Sequence, residues 1–381
     1  MLGSLALIFL VGLVFSGFVK KFNIPSLVGM ILTGIIIGPY GFNLIDESLL
    51  NISEELRKIA LVVILLRAGL SLDIKQIKSI GKSAGFLTIV PALFEMVAIT
   101  GISIVLLDFD LISALILATV ISAVSPAVVV PRMISLIEKG KGKVPQLIVA
   151  SSSIEDVLVI SIFAIIINVA TTSFFEFITI IYIIMGTIAG IVSGIIIATI
   201  ISKVFKTFAI IESAKVLTLL GISFLLIAIE NNLEYFSSLL AIMTIAILIG
   251  QTTNALPLQQ KFKELWVGAE IILFVIVGAA LNISSAKNDI IYAILIIAIG
   301  LSFRSLGVLF SLKGSNLNRN EKIFVIFSFL PKATVQAAIA GTALSLGLNN
   351  GQTILNIAVF AILITAPLGA FLIDRYKNIL L

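Results

Sequence analysis

The sequence predicts an all-α, polytopic membrane protein with about thirteen transmembrane helices. Of its 381 residues, 60% are hydrophobic and only 12% are charged, whereas a typical soluble domain carries about 25% charged residues. The mean hydropathy is +1.23. Apolar runs of about 20 residues, the length that crosses a bilayer as a helix, recur along the chain. Together these observations exclude an ordinary soluble domain.

Thirteen predicted spans follow one another with short loops between them. They cover residues 2–19, 24–40, 56–72, 83–107, 111–135, 146–170, 174–202, 213–230, 236–252, 264–282, 289–312, 322–346 and 353–373. The first span lacks the basic segment and the small-residue cleavage site of a secretory signal peptide. We therefore interpret it as a transmembrane helix of the mature protein.

Lysine and arginine predict the orientation of these spans. Nineteen lysine and arginine residues lie in the loops after the odd-numbered spans and at the C-terminus, and three lie in the opposite loops. Cytoplasmic loops carry the excess of basic residues, so the C-terminus is predicted in the cytoplasm and the N-terminus outside the cell membrane. The sequence pI near 9.3 has its explanation in this topology, and we expect no nucleic-acid partner.

The chain contains neither cysteine nor histidine. The absence of cysteine excludes disulfides and thiolate nucleophiles. The absence of histidine excludes the commonest metal ligand and the side chain that usually changes its charge between pH 5 and 8. Any proton chemistry must use Asp, Glu or Lys. We expect no bound cofactor.

Two adjacent acids, Glu155 and Asp156, lie in the middle of the sixth span. An Asp at the centre of a membrane helix costs about 3 kcal/mol even on lenient insertion scales, so such residues usually have a function. The other deep charges are Glu95, Arg304 and Lys332. The structural alternative is a static network of buried salt bridges, but such networks need not add stability.

Three prolines, Pro126, Pro131 and Pro331, are predicted to break the fifth and twelfth spans. Proline lacks an N–H and crowds the carbonyl four residues earlier. Irregular backbone survives at membrane depth only beside protein or water, so we expect both breaks to face a cavity and to offer unpaired carbonyls. A kink without a site is the alternative at either position.

Spans 4–6 and 11–13 form two similar triplets that lie seven spans apart and enter the membrane in opposite directions. Each triplet begins with a span bearing one deep charge, Glu95 or Arg304, and continues with a span broken by proline. This layout predicts inverted repeats with two crossing discontinuous helices, where helix ends form an ion site.

The two acids are predicted to have different roles. Adjacent helical residues point about 100° apart, so the carboxylates do not share one ligand symmetrically. We predict that Glu95 pairs with Arg304 and that Lys332 pairs with Glu155. Asp156 then has no fixed counter-ion and binds a proton or a monovalent cation in turn. Its predicted oxygen ligands are Ser152, one helical turn earlier, and Ser125 at the first break.

Three motifs resemble the monovalent cation/proton antiporter superfamily, most closely the NHA and NapA-like branch. They are Ser-Pro-Ala-Val-Val-Val-Pro at 125–131, the serine-rich run ending in two acids at 151–156, and Leu-Pro-Lys-Ala-Thr-Val-Gln-Ala-Ala at 330–338. The resemblance implies a NapA/NhaA-like antiporter fold and a homodimer. It also implies a moving core domain of residues 83–170 and 289–373, a dimerisation domain of residues 2–72 and 213–282, and a linker helix of residues 174–202.

The function that the resemblance implies is exchange of sodium or lithium for protons by alternating access. Asp156 would carry either ion, with Arg304 near it. The alternative is a potassium/proton antiporter or a potassium efflux transporter, which the absence of a nucleotide-binding segment after residue 381 makes less attractive. An intramembrane aspartyl protease needs its two acids on different helices, and an organic-anion symporter would be opposed by two free carboxylates.

The chain departs from its branch at two positions. The branch usually has two adjacent aspartates, and here the first of these positions is Glu155. Arg304 occupies a position where electrogenic members have lysine. Transport is one-for-one if only Asp156 exchanges its ion, whereas it moves net charge if Glu155 or Lys332 also changes its proton.

Overall fold

A computed structural model describes residues 1–22, 24–71, 82–140, 143–172, 177–208, 210–230, 236–252 and 255–380. Within these ranges the regular structure is entirely helical. Eight helical stretches there are long and apolar enough to cross a membrane, and one of them, Leu111–Ile137, consists of two helices. Two shorter apolar helices cover Ser26–Ile37 and Ser238–Gln251. The prediction of an all-α, polytopic membrane protein is therefore confirmed, while the count of thirteen crossings stays a prediction.

The described helices are numbered α1 to α17 in chain order. In the first part of the chain they are α1 (Leu2–Lys20), α2 (Ser26–Ile37), α3 (Glu47–Leu50), α4 (Ser53–Ser71), α5 (Lys82–Leu107), α6 (Leu111–Ser122), α7 (Pro126–Glu138), α8 (Lys143–Thr172) and α9 (Phe177–Thr207). In the second part they are α10 (Glu212–Glu230), α11 (Ser238–Thr252), α12 (Leu256–Ala279), α13 (Ile283–Ser311), α14 (Arg319–Ser328), α15 (Thr334–Ile339), α16 (Thr342–Ser345) and α17 (Gly351–Leu380). Every predicted span overlaps one of these helices or a run of them. The predicted span ends at residues 72 and 174–176 lie outside the described residues.

The fifth and twelfth predicted spans are interrupted. Between α6 and α7 the chain leaves the helix at residues 123–125, and Pro126 begins α7. Proline suits a first helical position because the N–H that it lacks would have no intrahelical partner there. Between α14 and α15 the interruption covers residues 329–333 and contains Pro331. Both interruptions lie where the prolines predict them.

Pro131 does not break a helix, which corrects the prediction for this residue. It lies inside α7, which continues to Glu138. The hydrogen bond to the carbonyl of residue 127 is lost there, because proline has no N–H, but the helix continues on both sides of it. Pro91 and Pro367 likewise lie inside the continuous helices α5 and α17. A proline in a membrane segment therefore does not predict a break by itself, because the neighbouring groups that can bind the freed backbone atoms also decide whether the helix is interrupted.

The chain divides into two compact units, of which the first comprises residues 1–57, 77–159 and 270–381. In this unit α5 packs along α13, and α17 packs against α6, α13 and α14. Glycine permits the close approach of α5 and α13: a Cβ atom on Gly307 would lie 2.8 Å from the Cα atom of Pro91. The backbones therefore approach closely, with Glu95 and Arg304 on the two facing helices.

The second unit comprises residues 58–76 and 160–269. Here α9 packs against α11. A Cβ atom on Gly190 would lie 2.5 Å from the carbonyl oxygen of Ser237, and one on Gly194 would lie 2.7 Å from the Cβ atom of Thr244. These small residues let the two helices touch, as is typical of helix pairs in membranes.

Candidate ion-binding site

The side chain of Arg304, on α13, is fully buried and lies at the centre of a cluster of charges. Its Nη1 atom donates to Oε2 of Glu95 at 2.5 Å and to the carbonyl oxygen of Ser122 at 2.6 Å. Its Nη2 atom donates to Oε1 of Glu155. The guanidinium is a planar fork with several donors, so one side chain can bridge two carboxylates. The predicted contact between Glu95 and Arg304 is present in this arrangement.

Lys332 lies in the interruption between α14 and α15, and it is also fully buried. Its Nζ atom donates to Oε2 of Glu95 at 2.7 Å, and its backbone N–H donates to the hydroxyl of Thr365 at 2.9 Å. The predicted pair of Lys332 with Glu155 is wrong. Arg304 reaches both glutamates at once, and the ammonium of Lys332, which is a single point donor, binds Glu95 instead.

Asp156 follows Glu155 on α8 and is 7% exposed. Among the residues that the structure describes, no ion pair involves Asp156. Its Oδ1 atom is buried without a hydrogen-bond partner, and the same holds for Oε2 of Glu155. The angle of about 100° between adjacent helical residues allows Glu155 to bind Arg304 while Asp156 does not.

The cluster has an unbalanced charge. Glu95, Glu155 and Asp156 supply three carboxylates, whereas Arg304 and Lys332 supply two cations. When all five groups are ionised the net charge is minus one. A buried charge without a partner is costly, so one additional cation or one proton would complete the cluster.

The two serines predicted as ligands behave differently. The Oγ atom of Ser125 is fully buried without a partner, and the backbone N–H of this residue donates to the carbonyl of Pro331 at 2.8 Å. The hydroxyl of Ser152 donates to the carbonyl of Val149 at 3.2 Å rather than to Asp156. Ser152 therefore donates to the backbone of the preceding turn, as helical serines can, while its role as an oxygen ligand of the ion stays a prediction.

Three carbonyls at the end of α6, those of Ile121, Ser122 and Ala123, bind side chains, which corrects the expectation that these carbonyls are unpaired. Arg304 binds the carbonyl of Ser122. The Nε2 atom of Gln336 donates to the carbonyls of Ala123 at 2.7 Å and Ile121 at 3.3 Å. Buried backbone groups almost always have partners, and here side chains provide them.

Sequence reasoning did not identify Gln336 or Thr365 as site residues. Gln336 is fully buried, and its Oε1 atom accepts the backbone N–H of Ala333 at 2.7 Å. The available signal was its position, since a glutamine three residues after an N-cap residue often binds back to that residue's N–H. Thr365 has no comparable local signal, because its partner Lys332 is 33 residues away.

No group of three acidic side chains in the described part of the chain is arranged to hold a resident metal ion. A cation bound at Asp156 would have one carboxylate and neutral oxygens as ligands. Weak ligation of this kind suits an ion that must both enter and leave.

Residues 5–375 match the family model described as "Sodium/hydrogen exchanger, transmembrane". The chain belongs to the sodium/hydrogen exchanger family. This is a family of transporters, so the prediction that the chain is not an enzyme is confirmed. The resemblance to monovalent cation/proton antiporters is confirmed as well.

Curated members of the exchanger family align over most of the chain. Sodium/hydrogen exchanger 9B2 of Mus musculus is 32% identical over 378 residues, which cover 92% of this chain and 67% of the relative. Sodium/hydrogen exchanger 9B1 of Homo sapiens is 30% identical over 369 residues, covering 92% of this chain and 71% of the relative.

A solved structure supports the same fold. The sodium proton antiporter MjNhaP1 from Methanocaldococcus jannaschii, determined at pH 8, superposes with a TM-score of 0.84 and covers 100% of this chain and 97% of its own. The sequence identity is 22%. The exchanger chain therefore has an antiporter fold, while the more specific prediction of a NapA-like fold stays a prediction.

Proposed function

We propose that this exchanger moves sodium, or lithium, against protons across the cell membrane by alternating access, with Asp156 as the carrier of either ion. The observation that supports the proposal is the charge balance of the buried cluster. Arg304 and Lys332 form ion pairs with Glu95 and Glu155, and Asp156 is left without an ion pair among the described residues. One carboxylate that binds a proton or a sodium ion, but not both, couples the two fluxes in opposite directions.

The stoichiometry that we propose is one sodium ion for one proton. Glu155 is held by Arg304, and Lys332 is held by Glu95. Glu155 would have to gain a proton and Lys332 would have to lose one, and either change breaks a buried ion pair, which is costly. Asp156 has no such constraint. A one-for-one cycle moves no net charge, so the chain should produce no sustained current on a supported membrane under a sodium gradient.

Sodium is the proposed substrate rather than potassium because the matching family and its curated members are named sodium/hydrogen exchangers. Lithium binds similar oxygen ligands and is included for that reason. Proton flux measured with sodium, lithium and potassium in turn separates this proposal from potassium/proton exchange.

The proposed architecture is the one that the sequence predicts: thirteen crossings, inverted repeats and two discontinuous helices that cross near Asp156. The hydrogen bonds that join the two interruptions support this arrangement. We also propose a homodimer, a moving core of residues 83–170 and 289–373 linked by residues 174–202 to a dimerisation domain of residues 2–72 and 213–282, and a cytoplasmic C-terminus with the N-terminus outside. Cross-linking and cysteine accessibility in a chain that has no native cysteine would test these assignments.

Neutralisation of Asp156 tests the proposed mechanism. In proteoliposomes with an internal pH dye, sodium added outside should enter in exchange for internal protons, so the wild-type chain should raise the internal pH. Asp156→Asn should lose this response. Asp374→Asn is the matched control, because Asp374 lies in exposed ion pairs with Arg132 and Lys377. If Asp156→Asn exchanged sodium for protons at the wild-type rate, Asp156 would not be the carrier.

A further inference from the structure

Gln336 joins the two interrupted helices through both ends of its side-chain amide. Its Nε2 atom donates to the carbonyls of Ala123 and Ile121, at the end of α6. Its Oε1 atom accepts the N–H of Ala333, at the start of α15. The side chain is fully buried. Both polar atoms are thus engaged with backbone groups of the two interruptions.

The backbone groups that Gln336 binds are those that the interruptions leave without helical partners. The last carbonyls of a helix and the first N–H groups of the next one have no intrahelical partners. At membrane depth no bulk water replaces them, and each unpaired group costs free energy. One glutamine provides partners for three such groups, two on one interruption and one on the other.

These hydrogen bonds lie directly beside the backbone positions that hold the charges. Ser122, whose carbonyl binds Arg304, stands between Ile121 and Ala123. Lys332, which binds Glu95, immediately precedes Ala333. A change in the bonds of Gln336 therefore displaces one contact of Arg304 and one contact of Lys332 together. The bond from Ser125 N–H to the Pro331 carbonyl is a second link between the interruptions.

We infer that Gln336 is a positioning residue for ion exchange: its amide sets the crossing of the two interrupted helices and, through Ser122 and Lys332, the geometry of the charged cluster beside Asp156. The inference rests on the proposed function. On this inference Gln336 does not contact the ion, but it affects the apparent affinity for sodium and the pH profile of transport.

The first test uses Gln336→Leu, which removes all three hydrogen bonds with little change in volume. Removal of a buried hydrogen-bond partner changes an equilibrium by about tenfold or more, so the KM for sodium should rise about tenfold. Gln259→Leu is the matched control, because the Nε2 atom of Gln259 also donates to a backbone carbonyl at 2.7 Å, that of Leu70, outside the cluster. This control should keep the wild-type KM.

The second test uses Gln336→Glu, which keeps the shape of the side chain. This variant tests the role of Gln336 even if Gln336→Leu does not fold. A protonated carboxyl can still donate to Ala123, whereas an ionised one presents only acceptors to the carbonyls. The charged groups linked to this position through Ser122 and Lys332 are Lys332 on the same segment, Glu95 on α5, Arg304 on α13 and Glu155 on α8, with Asp156 next to Glu155. The KM of this variant should approach the wild-type value at low pH and rise with increasing pH more steeply than the wild-type value does.

The wild-type chain in the same vesicles distinguishes the two possible failures. If the wild-type chain shows no exchange of sodium for protons, the proposed function is wrong, and the inference, which depends on it, is also wrong. If the wild-type chain exchanges the ions and both Gln336 variants keep its KM and pH profile, only the role of Gln336 is wrong. A rise in KM for Gln336→Leu with the pH-dependent behaviour of Gln336→Glu, and no change for Gln259→Leu, supports the inference.

Discussion

Replacement of Arg304 by methionine tests how the buried cluster stabilises the fold. Arg304→Met keeps an unbranched side chain but removes the donors to Glu95, Glu155 and the Ser122 carbonyl. Glu95 retains Lys332, whereas the ion pair of Glu155 with Arg304 is lost. Removal of one partner of a buried ion pair costs about 3–5 kcal/mol, because the other charge remains buried without compensation.

This loss should be visible in thermal unfolding of the purified chain in detergent. Each kcal/mol shifts the Tm of a domain of 150–250 residues by about 2–4 °C, so Arg304→Met should lower the Tm by about 10 °C. The assay is the fraction of monodisperse protein that remains after heating. Arg132→Met is the matched control, because it removes an arginine from a partly exposed ion pair with Asp374. Such pairs contribute about 0–1 kcal/mol, so the Tm should change by no more than about 4 °C.

A second substitution tests the physical reason for the effect. Arg304→Met combined with Glu155→Gln removes the uncompensated carboxylate and leaves the contact of Lys332 with Glu95. The double variant should recover at least half of the lost Tm, since residues in direct contact have coupling energies of about 0.5–3 kcal/mol. If Arg304→Met unfolds within about 2 °C of the wild type, or if Glu155→Gln restores nothing, the cluster does not stabilise the fold as described.

Two further predictions concern local structure. Gly34→Ala should lower stability by about 1–3 kcal/mol or more, because its Cβ atom would lie 1.9 Å from the carbonyl oxygen of Val275, while Gly17→Ala, with nothing within 4 Å, should be neutral or stabilising; equal Tm values for the two variants would contradict this. Asp110→Ala should cost about 1 kcal/mol, because Asp110 caps α6 by accepting the N–H groups of Ile112 and Ser113. Partial burial raises the pKa of the Asp110 carboxyl, but hydrogen bonds from Ser113 and Ile112 outweigh it and hold the pKa below the usual 3.8. The cap is therefore fully effective above about pH 4 and lost as the pH falls through the lowered pKa, so the Tm difference between wild type and variant should persist at pH 7 and vanish in strong acid.

The sequence predicted features that depend on a continuous stretch of chain. The predicted span 83–107 corresponds to α5, Lys82–Leu107, and the predicted span 2–19 corresponds to α1, Leu2–Lys20. Such boundaries depend on apolar length and on nearby charges, which are local properties. Pro126 and Pro331 indicated the two interruptions for the same reason, since proline acts on its own helical turn.

The partners of the buried charges could not be read from the chain. Glu95 was expected to bind Arg304 and does contact it, but Lys332 binds Glu95 rather than Glu155. Long side chains with several possible partners are assigned by the rotation and depth of their helices. Ser152 shows the same limit at short range, because its hydroxyl has a local carbonyl as an alternative acceptor.

The sequence by itself determined that the chain is a helical membrane protein, where two of its helices break and which five charges lie deep. These properties follow from hydrophobic length, from the missing N–H of proline and from the cost of charge in a bilayer. Only the tertiary structure decided that Arg304 and Lys332 form ion pairs with two glutamates, that Gln336 joins the interruptions, and that Asp156 has no ion pair among the described residues. The reason is distance along the chain: the ion pairs of the cluster join residues 149 to 237 positions apart, and such contacts form only when the helices pack.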